Sequence, residues 1–167
     1  MAPRRPPSGT PTRWLDPVEM AAWRTYIDTV HELTQALEAD VTPFGLTMGD
    51  YEVLVRLSEQ QDRRLRMCDL AAQLRLSPSG LTRRLDGLVK AGLVGRQPSD
   101  EDRRVMLAVL TDEGYGRLVE AAPAHVQGVR RHFLDLLTRD EIMALSSAFA
   151  KVRDALAEQQ DALRDPG

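Results

Sequence analysis

LSPSGLTRRLDGLVKA, running from Leu76 to Ala91, decides the fold. Ser77 suits a helix N-cap and Pro78 the first helical position, where no backbone N–H is needed. Leu76 can staple against Leu81 across that cap. Leu81, Leu85 and Leu88 recur at i, i+4 and i+7 as one apolar stripe, leaving Ser79, Thr82, Arg83, Asp86 and Lys90 on the other side. Hydroxyls and a guanidinium near a helix N-terminus are the donors that base edges and phosphates accept from. A solvated surface helix has the same polar side, so the neighbouring sequence has to decide.

Upstream, Met67, Leu70, Ala71 and Leu74 form a second stripe at helical spacing, and Arg75 to Ser77 leave room only for a tight turn. Two short helices joined this way predict a helix-turn-helix. Downstream, Gly92 can end the second helix, and Leu93 to Arg96 and Val105 to Leu110 read as two short strands. Between the strands lies the charged loop QPSDEDRR. A hairpin placed directly after a helix-turn-helix is a wing, and Asp102, Arg103 and Arg104 would sit at its tip.

The run MCDLAAQLRLSPSGLTRRLDGLVKAGLVGRQPSDEDRRVMLAVLTDEG, Met67 to Gly114, resembles the DNA-binding core of the MarR family of bacterial transcriptional regulators. The likeness includes the wing pattern Asp-x-Arg at Asp102 and Arg104, and Leu-Thr-x-x-Gly at Leu110, Thr111 and Gly114. The flanking helices resemble the family more loosely, in length, order and the opening WLDPVEMAAWR from Trp14 to Arg24. One departure is the residue before Met67, where a Ser or Thr cap would be usual and Arg66 stands instead.

The resemblance implies a regulator, in the first instance a repressor, that binds a double-stranded DNA operator. The helix is expected in the major groove with Ser77, Ser79, Gly80, Thr82, Arg83 and Arg84 at the DNA. Arg83 projects opposite the leucine stripe, towards base edges. Arg84 lies beside the stripe, within reach of a phosphate or an intramolecular carboxylate. On the wing, Asp102 is expected to brace the loop by pairing with Arg104, which resembles the family's minor-groove residue, and Arg103 to sit next to phosphate. The resemblance further implies release by a small aromatic or anionic effector between the outer helices and the reader, lined by Trp14, Trp23, Tyr26, His31 and Phe44. An aromatic residue on a helix seam equally suits plain core packing.

The chain has 167 residues, the size of one domain with additional helices. A formal net charge of −3 argues against indiscriminate nucleic-acid binding, but the charge is unevenly spread. Gln61 to Arg104 holds 10 Lys+Arg against 6 Asp+Glu, a local +4, whereas the remainder holds 12 against 19, or −7. The basic part coincides with the proposed reader. A single cysteine, Cys68, excludes an intrachain disulfide framework, and its surroundings read as a small buried or half-buried thiol more than a redox sensor. With no signal-peptide core and no bilayer-spanning apolar run, a cytoplasmic protein without membrane contact is expected.

Residues 1–13, with Arg4 and Arg5, read as a disordered tail. Residues 14–45 hold a first outer helix starting at Asp16 and Pro17, with Met20, Trp23, Ile27, Val30, Thr34, Leu37 and Val41 at steps of three and four. Residues 46–110 hold the winged helix-turn-helix, opened by a capping box at Thr47 and Asp50 and a helix reaching about Gln60. Residues 111–164 hold two more helices. The first is capped by Thr111, runs to Leu137 and is kinked or broken near Ala122 by Pro123. The second opens on Thr138 and Glu141 and carries the seam Ile142, Leu145, Phe149, Val152 and Leu156. Two narrow seams outside the reader predict homodimerisation through the outer helices, with an inverted-repeat operator; an intramolecular helical extension is the alternative.

The fold class is therefore mainly α with a small β-hairpin. An enzyme is the competing class, because His125 and His132 lie seven residues apart on one helical face with His31 elsewhere. No third ligand has suitable spacing and no nucleophile, phosphate or zinc motif occurs, so neither enzymatic activity nor a metal or cofactor is expected. A winged helix used only for protein contacts would show no dependence of DNA binding on Arg83 or Arg104.

Overall fold

The computed structural model describes residues 12–164. Arg4 and Arg5 lie outside them, while Arg13 donates to Glu19 at 2.9 Å just ahead of the first helix. The helices are α1 (Pro17–Val41), α2 (Met48–Ser58), α3 (Met67–Gln73), α4 (Pro78–Lys90), α5 (Asp112–His132) and α6 (Arg139–Arg164). The strands are β1 (Arg64–Arg66), β2 (Val94–Pro98) and β3 (Met106–Leu110), antiparallel in the order β1-β3-β2.

Local chemistry sets most of these boundaries. Asp16 and Glu19 close a capping box on α1, and Thr47 and Asp50 close another on α2, so the first-turn amides find acceptors. Arg66 begins α3 without any side-chain hydrogen bond, as the absent Ser or Thr foreshadows. Thr111 caps α5 by accepting from the Gly114 amide at 2.9 Å. Gly114 is required for space: a Cβ there would overlap the Leu93 carbonyl and the Leu110 side chain.

Two features differ from the sequence expectation. The wing hairpin is extended into a three-stranded sheet by β1, whose Arg64, Leu65 and Arg66 pair with Val109, Ala108 and Leu107. A lone leucine between two arginines carries no strand signal; the free edge of β3 recruits it. Secondly, α5 passes through Pro123 unbroken and ends at His132, five residues before the expected Leu137. Burial of Leu118, Ala121 and Gly128 along α5 holds the helix on both sides of the proline. Phe133 then leaves helical geometry at φ −139° and ψ −69°, and a short 3-10 turn, Leu134–Leu136, leads to α6.

The core lies between α2, α3, α4, the sheet and the facing part of α5. Val41, Leu54, Leu57, Leu70, Leu81, Leu85, Val94 and Ala108 are all essentially removed from solvent. Each buried leucine contributes on the order of 1.5–3 kcal/mol, several times an exposed polar contact. The leucine stripe therefore dictates which side of α4 faces outward. By contrast, Trp23, Ile27 and Val30 on α1 and Phe149, Val152 and Leu156 on α6 are all exposed.

Candidate nucleic-acid interface

Ser77 accepts from the Gly80 amide at 3.1 Å and fixes the start of α4. Leu81, Leu85 and Leu88 are buried, so Ser79, Thr82, Arg83 and Asp86 are turned to solvent. The Ser79 hydroxyl lies 3.2 Å from that of Ser77, and the Thr82 hydroxyl donates back to the Pro78 carbonyl at 2.9 Å. Both retain an accepting lone pair for a partner. Among the described residues, Arg83 has neither an ion pair nor a side-chain hydrogen bond.

Arg84 takes the intramolecular one of its two expected destinations. Its Nη1 donates to the Thr47 hydroxyl at 3.3 Å and lies 3.9 Å from the Asp50 carboxylate, at the start of α2. The turn between α3 and α4 closes through hydrogen bonds from the Leu76 and Arg75 amides to the Ala71 and Ala72 carbonyls. This places Arg75 at φ 53°, left-handed backbone that costs a non-glycine residue roughly 1–2 kcal/mol.

At the wing, β2 and β3 pair from Val94 and Leu110 out to Pro98 and Met106. The tip is tied by the Ser99 amide donating to the Val105 carbonyl at 2.8 Å and the Val105 amide donating to the Asp102 carbonyl at 2.9 Å. Asp102 braces the loop differently from the expected carboxylate–guanidinium pair: its carboxylate accepts from the backbone amide of Arg104 at 2.9 Å. An aspartate reaches the amide two residues on more directly than a guanidinium swinging into solvent. The guanidinium groups of Arg103 and Arg104 are thereby left exposed and, among the described residues, without ion pairs.

Sequence reasoning missed Arg96. From β2 its Nη2 donates to the Thr82 carbonyl at 3.0 Å and stands 2.9 Å from the Asp86 carboxylate as an ion pair, joining wing to helix. The signal was present, since residues two apart in a strand share a face and Val94 is buried in one core cluster with Leu81, Leu85 and Leu88. Arg64 was missed too; it stands 3.3 Å from Asp62 and 3.7 Å from Asp100 at the other flank of the wing.

The five residues expected to line an effector site are not brought together. An open groove of about 1380 Å³ between the N-terminal part of α1 and α6 is lined by Trp23, Tyr26, Phe149, Arg75 and Arg153, among others. The rings of Trp23 and Tyr26 are tilted against each other with centroids 5.9 Å apart, and Tyr26 meets Phe149 at 5.6 Å. Trp14 precedes α1 and is 84% exposed, His31 points elsewhere to meet Gln35 at 2.8 Å, and Phe44 packs against the core. Trp14 and Phe44 lie outside α1, and His31, five residues past Tyr26, is about 140° around the helix from it.

Cys68 is exposed, with its thiol 3.6 Å from Asp69, and is less covered than the buried or half-buried thiol the sequence suggests. His125 lies on Tyr51 with ring centroids 4.6 Å apart, and His132 stands 3.5 Å from Asp40. Among the described residues no group of three His, Cys, Asp or Glu is placed to hold a metal ion, and no helix is long and apolar enough to cross a membrane.

A helix-turn-helix followed by a hairpin wing, set between long outer helices, defines a winged helix-turn-helix protein. The sequence profile of the MarR family matches residues 46–106. AbsC, a MarR family transcriptional regulator from Streptomyces coelicolor, is 44% identical, with 88% of this chain and 99% of AbsC covered and a TM-score of 0.85. Sco3205, another MarR family regulator from the same organism, solved in complex with DNA, is 35% identical over 86% of this chain and 94% of its own, with a TM-score of 0.82. The HTH-type transcriptional repressor YetL of Bacillus subtilis is 29% identical over 111 residues, 66% of each chain. The chain belongs to the MarR family of transcriptional regulators.

Proposed function

We propose that the protein is a cytoplasmic, sequence-specific transcriptional repressor that binds an inverted-repeat operator in double-stranded DNA as a homodimer. The observation that carries this reading is the outer face of α4. Its leucines commit the opposite face to the core, and Arg83, without an ion pair or side-chain hydrogen bond among the described residues, is exposed on α4 with Ser79 and Thr82, as Arg103 and Arg104 are on the wing. In this reading α4 enters the major groove, Arg83 addresses base edges, and Arg104 follows the flanking minor groove.

Residues 46–110 form the reader, and residues 14–45 and 111–164 join two copies. The exposed seam on α1, with Trp23 at 54%, Ile27 at 45% and Val30 at 43%, supports this assignment, as does that on α6. Covering such apolar surface removes it from water at roughly 25 cal/mol per Å². A small aromatic or anionic ligand would release the DNA if it favoured the spacing of the two readers that does not fit the operator. The Trp23–Tyr26–Phe149 rings beside Arg75 and Arg153 suit such a ligand. Fluorescence anisotropy with duplexes from the protein's own promoter region tests the core of the proposal. Tight binding to one duplex that weakens steeply with salt is expected; equal, weak binding to every duplex would contradict it.

A further inference from the structure

We infer that Arg96 is a positioning residue: its clamp on Thr82 and Asp86 makes the wing and the base-reading turn of α4 move as one body. This rests on the DNA-binding reading above and extends it to how the two contacting pieces keep their spacing.

The clamp grips a single helical turn. Thr82 and Asp86 are four apart, so one guanidinium nitrogen reaching the Thr82 carbonyl at 3.0 Å and the Asp86 carboxylate at 2.9 Å straddles Arg83. Arg96 itself sits mid-strand in β2, opposite Ala108 of β3 and two residues before Pro98, where the hairpin leaves for the tip. Burial of Val94 in one core cluster with Leu81, Leu85 and Leu88 anchors the base of the hairpin, but beyond Gly95 the residues of β2 lie at the surface. Among the described residues Arg96 makes the side-chain hydrogen bond and ion pair that tie that outer half of the wing to α4, and its own side chain is only 29% exposed.

Stability does not account for the arrangement. The Asp86 side chain is 58% exposed, and ion pairs so open to water add little to folding. Geometry does: without the clamp, the tip bearing Arg103 and Arg104 is free to hinge about residues 94 and 95 relative to Arg83. The clamp also keeps Asp86, an anion on the face offered to phosphates, paired with a cation. Two roles are thus separable, holding the wing and cancelling a charge, and the first is the one assigned here.

The test uses the full-length protein and the tightest duplex that the wild type selects from a random-sequence pool. Arg96→Met should weaken binding about tenfold while the thermal midpoint stays nearly unchanged. Hydroxyl-radical protection of the flanking minor groove should be lost, with guanine N7 protection under α4 retained. Arg104→Ala should cost about tenfold in the wild type yet less than about twofold in the Arg96→Met background, because the wing contact is already gone. Adding Asp86→Asn to Arg96→Met should not restore affinity. Independent, multiplicative effects of Arg96→Met and Arg104→Ala would overturn the inference, since Arg96 would then touch DNA on its own account. Restoration by Asp86→Asn would overturn it in favour of charge cancellation, and unchanged affinity of Arg96→Met would overturn it outright. A wild type that selects and protects no duplex overturns the DNA-binding reading, and this inference with it.

Discussion

The carboxylate of Asp40 on α1 occupies the space that a side chain on Gly128 of α5 would need: a Cβ there would overlap Asp40 Oδ2. Its Oδ1 accepts from Arg131 at 2.8 Å and its Oδ2 stands 3.5 Å from His132, so making room at Gly128 disturbs both contacts. Gly128→Ala should therefore push α1 from α5 and cost about 1–3 kcal/mol, read as a thermal midpoint several degrees lower. Gly116→Ala on the same helix meets open space and should instead be neutral or stabilise by up to about 1 kcal/mol.

The same joint carries a pH dependence. Burial holds the His125 imidazole below its ordinary value of 6.5, and the charge of Asp40 offsets this only in part. The His125 ring packs on that of Tyr51 at a tilt of 44°, the Tyr51 hydroxyl is pushed up by burial, and among the described residues the His125 Nδ1 is buried without a hydrogen-bond partner. A histidine with a depressed folded pKa favours the neutral form, so the unfolded chain binds the proton more readily. Its contribution to stability is present above pH 6.5 and is lost as the pH falls from there through the folded pKa. Chemical denaturation between about pH 7 and pH 5 should show this loss, and His125→Phe, which keeps a ring on Tyr51, should flatten the curve.

Asp102 predicts a separation of folding from binding. Its carboxylate holds the Arg104 amide at 2.9 Å on an exposed loop, so Asp102→Ala should leave stability within about 0.5 kcal/mol. Hydrogen exchange at the Arg104 amide should accelerate, and DNA affinity should fall because the tip is no longer preorganised. A wing variant with unaltered exchange would show that the backbone hydrogen bonds of Ser99 and Val105 suffice.

Arg83 and Arg103 should differ in kind. Arg83→Ala should cost about 1–3 kcal/mol at the preferred sequence and relax discrimination, whereas Arg103→Ala should weaken all sequences alike and lower the salt slope by about one. Competition binding against single-base variants of the operator, repeated at several salt concentrations, separates the two.

Much of this was legible in the sequence because it depends on local chemistry. The Leu81–Leu85–Leu88 stripe, the caps at Asp16, Thr47, Ser77 and Thr111, and the glycine at position 114 each act over one or two helical turns. What was hidden depends on long-range neighbours. β1 forms because β3 offers a free edge, and α5 tolerates Pro123 because α1 and the core press on it. At the site, Ser79, Thr82, Arg83, Arg103 and Arg104 could be named because an apolar stripe or a hairpin leaves them nowhere else to point. The Arg96 clamp needs the distance between two elements, and the groove holding Trp23 and Tyr26 needs α6, so neither residue set could be completed from spacing alone.

The exposed seams give a prediction of assembly. Ile27, at 45% exposure, belongs to the α1 seam and not to the core of the reader. Wild type should sediment as a dimer at micromolar concentration. Ile27→Glu should shift it towards monomer without unfolding α2 to α4, and should lose operator affinity more than about tenfold, since two linked readers bind far more tightly than one.

Selection of bound sequences from random duplexes, carried out in parallel with the wild type and Arg83→Ala, tests the role of α4 most directly. The account predicts that the wild type enriches an inverted repeat with half-site centres roughly 10 base pairs apart, and that Arg83→Ala loses preference at specific positions in each half-site. Enrichment of no sequence, or recovery of the same operator with the same preferences by Arg83→Ala, would contradict it.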